Sequence, residues 1–141
     1  MNLAKESSNL ATTKREGFEE ASGQVEESAV IDSFTTRDYN IVLINTYDVR
    51  DRGDLFRVFS EQLRFPDYFG NNWDAFYDCL TDLSWLNRNS TLIIIESYEL
   101  LRTRDFGTVF LDILSDAHGY WRDRGIDFRT LLVNRELHRT N

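Results

Sequence analysis

The chain has 141 residues and a formal net charge of −8, with 16 lysines and arginines against 24 acidic residues. That length suits one domain able to bury a core without metals or disulfides, and 41% hydrophobic and 13% aromatic residues argue for a folded body. The acidic balance disfavours nucleic acid or an anionic membrane as the main partner and favours a cationic one. A single cysteine, Cys79, excludes an internal disulfide framework.

Residues 1–38 differ in composition from the rest. Ser, Thr, Ala, Glu and Gly dominate, and Lys5, Lys14, Arg15 and Arg37 stand against eight acidic residues. Low hydrophobicity with charge is the mark of disorder, so this segment is expected to be an acidic, disordered tail. The first residues contain no apolar run of the signal-peptide kind. No stretch approaches the roughly 20 apolar residues that span a bilayer. With a lone cysteine, which suits a reducing compartment, these features point to a soluble, cytoplasmic protein.

Tyr39-Asn40-Ile41-Val42-Leu43-Ile44 is a β-branched, apolar run and reads as a buried strand. Leu55, Val58, Phe59 and Leu63 then recur at helical spacing, with Asp51 or Asp54 placed to cap the helix. Pro66, the only proline, ends that helix by pushing Phe65 out of the helical region. Gly70 offers a positive φ, and Asn71 or Asn72 a side-chain cap for the next helix.

That next helix starts at Trp73 and fades near Leu83. Trp73, Phe76, Leu80 and Leu83 fall on one face, which can enter a core. Asp74, Tyr77, Asp78 and Thr81 fall on a neighbouring face, at i, i+3, i+4 and i+7. This second face presents two carboxylates, a phenol and a hydroxyl to an external partner and is the candidate functional surface. A carboxylate in the first helical turn, as at Asp74, is also favoured by the helix dipole alone.

Ser84–Ser90 reads as an irregular connection, and Thr91–Ile95, the most apolar run, as a central strand buried on both faces. A brief helical turn is expected within Glu96–Leu101 and a longer helix from about Asp105 to Arg122. Phe128–Val133 is a third strand. Strands joined by long helical connections imply parallel pairing. The expected fold is therefore α/β, a three-stranded parallel sheet with packed helices over residues 39–135, with a C-terminal tail at 136–141. Cys79 is expected to be a buried, inert thiol. His118 and His138, the only histidines, are expected at the surface.

Phe65-Pro66-Asp67-Tyr68-Phe69-Gly70-Asn71-Asn72, followed by Trp73-Asp74-Ala75-Phe76-Tyr77-Asp78-Cys79-Leu80-Thr81, resembles the signature of the barstar family of ribonuclease inhibitors. The resemblance implies a barstar-like inhibitor that plugs the active site of a ribonuclease toxin, as an immunity protein or antitoxin. Asp78 would stand in for a substrate phosphate, with Asp74 and Thr81 beside it. Tyr68, Gly70 and Asn72 would supply loop contacts, and Tyr77 stands where the family usually has tryptophan. The family presents two acidic contacts on its late helix; by alignment, Thr108 replaces the first and Asp112 keeps the second. The partner would be a cognate ribonuclease, or another toxin domain with a cationic active site, bound by a monomer in a 1:1 complex. Neither nucleic acid nor membrane would be bound.

Two rivals follow from the same residues. A barstar-like immunity protein could guard against a toxin that is not a ribonuclease, with Tyr77 and Thr108 marking the change. A small enzyme could use Asp74, Asp78 and Glu96 as a metal or acid–base cluster. Scarce histidine, no metal-ligand spacing and no phosphate-binding glycine loop weigh against the enzyme, and no cofactor is expected.

Overall fold

A computed structural model of the chain describes residues 15–21, 24–67, 69–86 and 89–134. One parallel sheet is formed by β1 (Phe18–Ala21), β2 (Asn40–Asn45), β3 (Thr91–Glu96) and β4 (Phe128–Val133), in the order β1-β4-β3-β2. Among the described residues five α-helices accompany it: α1 (Gln24–Thr35), α2 (Arg52–Leu63), α3 (Trp73–Leu80), α4 (Tyr98–Leu101) and α5 (Gly107–Arg122).

Alternation along β3 explains why this strand is buried throughout. Ile93 and Ile95 face a large core shared with Ile44, Leu132 and the apolar sides of α2, α3 and α5. Leu92 and Ile94 face the opposite way, joining Ala21, Leu131 and Val133 under Phe34 of α1, with Val30 and Ile31 alongside. The sheet is therefore covered on both faces, as a parallel sheet requires.

The sheet has four strands, not three, and the extra strand and its helix lie inside the expected tail. Residues 18–21 pair in register with Thr130–Val133 of β4, and α1 carries the chain from that edge to β2 at the other. Composition hid both elements. β1 is Phe-Glu-Glu-Ala, with exposed Glu20 and with Glu19 reaching Arg129 at 3.4 Å. α1 sets Val30, Ile31 and Phe34 toward the sheet, where they meet a preformed apolar face. A polar cluster ties the same region down. Asp127 accepts from the Tyr39 hydroxyl and, at 2.8 Å, from Arg129 Nε.

The other boundaries follow local chemistry. Asp51 caps α2, accepting from the Asp54 N–H at 2.8 Å, and α2 ends at Leu63 with Arg64 left-handed at φ 56°. Asn72 caps α3, its Oδ1 accepting from the Ala75 N–H at 2.8 Å. Among the described residues of this loop Asn71 is left-handed (φ 57°) and Gly70 is not; asparagine tolerates that region well. Gly70 serves close approach instead, because a Cβ there would meet Asn72 Nδ2 at 3.3 Å.

α3 ends at Leu80, short of Leu83, which is itself left-handed (φ 49°) and buried. His118 is a correction. It is buried, not at the surface, with Nδ1 2.9 Å from the Phe128 carbonyl; a ring at that position of α5 lies between the helix and β4. His138 lies outside the described residues. Among those described, no helix is long and apolar enough to cross a membrane.

Candidate functional site

The site is built on α3. Phe76, Cys79 and Leu80 are buried, while Asp74 and Asp78 are exposed and Tyr77 and Thr81 half-buried. Phe76 meets the Phe56, Phe59 and Phe110 rings at 5.6, 5.0 and 6.2 Å. Trp73 lies against Phe56 at 4.9 Å. The apolar side of α3 is thus locked into the main core, and its acidic side is left outward.

Both ends of the helix are also held. Asn72 caps the start, and Trp121 Nε1 of α5 donates to the Leu80 carbonyl at 2.8 Å at the end. A surface held this firmly loses little conformational freedom on binding, which favours affinity. Thr81 is less available than its spacing suggests, because its hydroxyl donates to the Tyr77 carbonyl at 2.8 Å. Tyr68 lies outside the described residues. Phe69 is a core aromatic, buried and packed edge-on to Phe56 and Phe65.

Asp74, Tyr77, Asp78 and Thr81 are brought together on one helix face, with Gly70 and Asn72 in the loop just before it. Asp112 lies on α5, one turn before Asp116. Its Oδ1 accepts from Arg15 Nε at 2.8 Å, on a stripe of α5 that also holds Ser115 and Arg122. Residue 16 occupies the same stripe: Ser115 Oγ donates to the Glu16 carbonyl at 3.1 Å, and Arg122 Nη1 lies 2.6 Å from Glu16 Oε1.

The α5 residues beside Tyr77 are Asp116 and Tyr120, with Arg124 just past the helix end. These four line one shallow depression of about 500 Å³ together with Ser115, Gly119, Arg122, Asp123 and Glu16, so the Glu16–Arg122 pair borders the same depression. Burial pushes the Tyr77 phenol above its ordinary pKa, Asp116 and Tyr120 add to the rise, and Arg124 opposes it. Sequence reading missed these neighbours. The available signal was their i, i+4, i+8 spacing along the flank of the α5 apolar stripe.

Cys79 has its pKa raised, first by burial and then by Asp78 and Asp82, which disfavours a thiolate nucleophile. Glu96 is buried at the end of β3, whereas Asp74 and Asp78 are exposed on α3, so the three carboxylates share no surface. Among the described residues no group of three His, Cys, Asp or Glu side chains is arranged to hold a metal ion.

The family model described as barstar (barnase inhibitor) matches residues 39–133. The chain belongs to the barstar family. A relative, the putative ribonuclease inhibitor YrdF of Bacillus subtilis (strain 168), is 32% identical over 75 residues, which are 53% of this chain and 72% of YrdF. The family match runs from the residue before β2 to the last residue of β4. It takes in α2, the Pro66 loop, α3 and α5, and it leaves β1 and α1 outside. The barstar-family part therefore contains α3 and the loop before it, while β1 and α1 lie outside it, closing one sheet edge and covering one sheet face.

Proposed function

We propose that this barstar-family chain is a protein inhibitor of a ribonuclease toxin, acting by inserting the acidic face of α3 and its preceding loop into the enzyme's cleft. The observation that carries the reading is the exposed Asp74–Asp78 pair, one turn apart on a helix whose opposite side and both ends are fixed. Enzymes that cleave phosphodiesters need cationic, donor-rich clefts, and a carboxylate can accept a bidentate arginine contact much as a phosphate does. Asp78 is the phosphate mimic. Asp74, Tyr77 and Thr81 flank it, and Tyr68, Gly70 and Asn72 form the loop side of the contact. The chain acts as a monomer in a 1:1 complex, in the cytoplasm of the cell that it protects, and catalyses nothing itself. Asp112, already held by Arg15, contributes less than the resemblance implies.

The test is inhibition of purified ribonucleases by wild type and Asp78→Arg side by side, with capture of partners from the source cell. Truncating one member of a buried interfacial charge pair costs about 2–5 kcal/mol, a range informed by the barnase–barstar complex itself and so not independent of this family. Asp78→Ala should lose affinity on that scale; a loss under about 1 kcal/mol would remove Asp78 from the role. Capture of a toxin of another class, lost by Asp78→Arg, would keep the face and change the prey.

A further inference from the structure

Arg124 is one of two arginines, with Arg122, lining the depression beside Tyr77 among Glu16, Asp116 and Asp123, and it is held in place. Its guanidinium carbon lies 3.6 Å from the Tyr120 ring centroid, and Nη1 donates to the Tyr120 carbonyl at 2.8 Å. Neighbouring Arg122 is engaged differently, by the Glu16 carboxylate at 2.6 Å and Asp123 at 3.4 Å. Among the described residues Arg124 has no carboxylate within salt-bridge reach, although the surface around it is rich in acids.

A cation at a helix C-terminus that bonds a terminal carbonyl is ordinary capping. Capping uses one N–H of a group that has five, and it does not call for the aromatic stack. Stacking fixes the plane of the fork at the rim of the depression shared with Tyr77 and Asp116. A fork fixed in this way loses little further freedom when it takes a bidentate, planar anion. A phosphate would meet the like charges of Asp116, Asp123 and Glu16 there. A carboxylate on a protein whose adjacent cleft is cationic would meet Arg124 and leave the aspartates to its own cations.

We infer that Arg124, clamped on Tyr120 beside Tyr77, receives a carboxylate of the bound enzyme and so sets which ribonucleases the acidic face accepts. This inference rests on the inhibitor reading above. A ribonuclease with a basic group at that point is repelled, and one with an acidic group is selected, so specificity arises from charge of both signs.

The experiment screens the full chain against a panel of purified basic bacterial ribonucleases and uses the one most strongly inhibited as the probe. Dissociation constants are measured for wild type, Asp78→Arg, Arg124→Gln, Arg124→Lys and Arg124→Glu, with melting temperatures recorded to separate capping from contact. Arg124→Gln should weaken binding roughly tenfold, Arg124→Glu more than that and Arg124→Lys less, at melting temperatures close to wild type. Alanine substitution of the probe's cleft-rim carboxylates should then uncover one whose effect disappears in the Arg124→Gln background.

Loss of binding by Asp78→Arg with all Arg124 variants within twofold of wild type would overturn the Arg124 assignment and keep the inhibitor. Effects of Arg124 that merely track melting temperature, without a coupled carboxylate, would overturn it as well. Inhibition of no ribonuclease in the panel would overturn the inhibitor reading and the Arg124 assignment together.

Discussion

Gly17 lies directly over the His118 ring: a Cβ added at Gly17 would come within 2.5 Å of His118 Cγ. Gly17 is also left-handed, at φ 91°, and its carbonyl accepts from the Thr130 N–H at 2.9 Å as β1 begins. The residue where the N-terminal segment enters the sheet is therefore intolerant of any side chain. Gly17→Ala should cost about 2–3 kcal/mol of stability, combining strain at positive φ with displacement of a buried ring. Gly125→Ala is the internal control. It has a similar φ of 79° but open space around it, so only about 1 kcal/mol should be lost. Urea unfolding of the two variants checks the difference, and equal losses would mean that the Gly17–His118 packing contributes nothing.

Phe34 offers a second test of the added segment. It is buried between α1 and the sheet, 4.9 Å from the Tyr39 ring centroid, and Arg37 lies 4.4 Å above it. Phe34→Ala should destabilise the protein by about 3 kcal/mol, at the low end for a buried phenylalanine because the helix lies at the molecular surface and can settle. Hydrogen exchange should show faster opening of α1 and β1, with β3 and the α3 region closer to wild type.

These two residues show where sequence reading stopped. β2, β3, β4, α2 and α3 announce themselves, because each carries an apolar pattern dense enough to build a core alone. The sequence narrowed the caps to Asp51 or Asp54 and to Asn71 or Asn72, and backbone geometry decides for Asp51 and Asn72. β1 and α1 were not, because Phe18, Ala21, Val30, Ile31 and Phe34 are too sparse to signal burial until a prepared surface is known. The candidate face was legible for the same local reason: Asp74 and Asp78 share a helix. Spacing puts Asp116, Tyr120 and Arg124 on one stripe, but that stripe meets the α3 face only through the packing of α5 on α3, a long-range relation that spacing along one helix does not carry. Asp112 shows the converse, since no sequence pattern joins it to Arg15.

Acid should loosen the polar cluster at Asp127. Burial works to raise this carboxyl, but hydrogen bonds from Tyr39 and Arg129, with the Arg129 charge, outweigh it and leave the pKa below the ordinary value. A folded-state pKa that is depressed stabilises the protein above the unfolded value of about 3.9, and the contribution is lost as pH falls through the lower folded value. Wild-type unfolding free energy should therefore decline more steeply below about pH 4 than that of Asp127→Asn, which lacks this titration. Parallel curves for the two proteins would show that the cluster carries no net stability.

Alkali should act through Tyr98. Its side chain is buried, and burial pushes the pKa up to about 12. The neutral phenol is favoured in the folded state, so this contribution is complete below the unfolded pKa near 10 and is lost as pH rises from there through about 12. Spectrophotometric titration should show one tyrosine ionising late, together with unfolding, and Tyr98→Phe should remove that late step. A Tyr98 that ionises with the exposed tyrosines would mean that the phenol is not enclosed.

Asn72 is the residue at which capping and partner contact can be separated. Its Oδ1 caps α3 through the Ala75 N–H at 2.8 Å, and its Nδ2 donates to the Gly70 carbonyl at 3.3 Å. Asn72→Ala removes both bonds and should cost about 1 kcal/mol of stability. Asn72→Asp keeps the cap and places a negative charge at the positive end of the helix, so stability should hold or rise slightly. The aspartate cannot donate, however, so any hydrogen bond that the Asn72 amide gives to the partner is lost in both variants. If Asn72 contacts the partner, Asn72→Asp should bind less tightly although the helix is intact, and the loss should persist at high salt, where added charge counts for less. If Asn72 only caps, Asn72→Asp should bind as well as wild type, or better in low salt against a cationic cleft. Affinity measured at two ionic strengths, beside a denaturation curve, distinguishes the two.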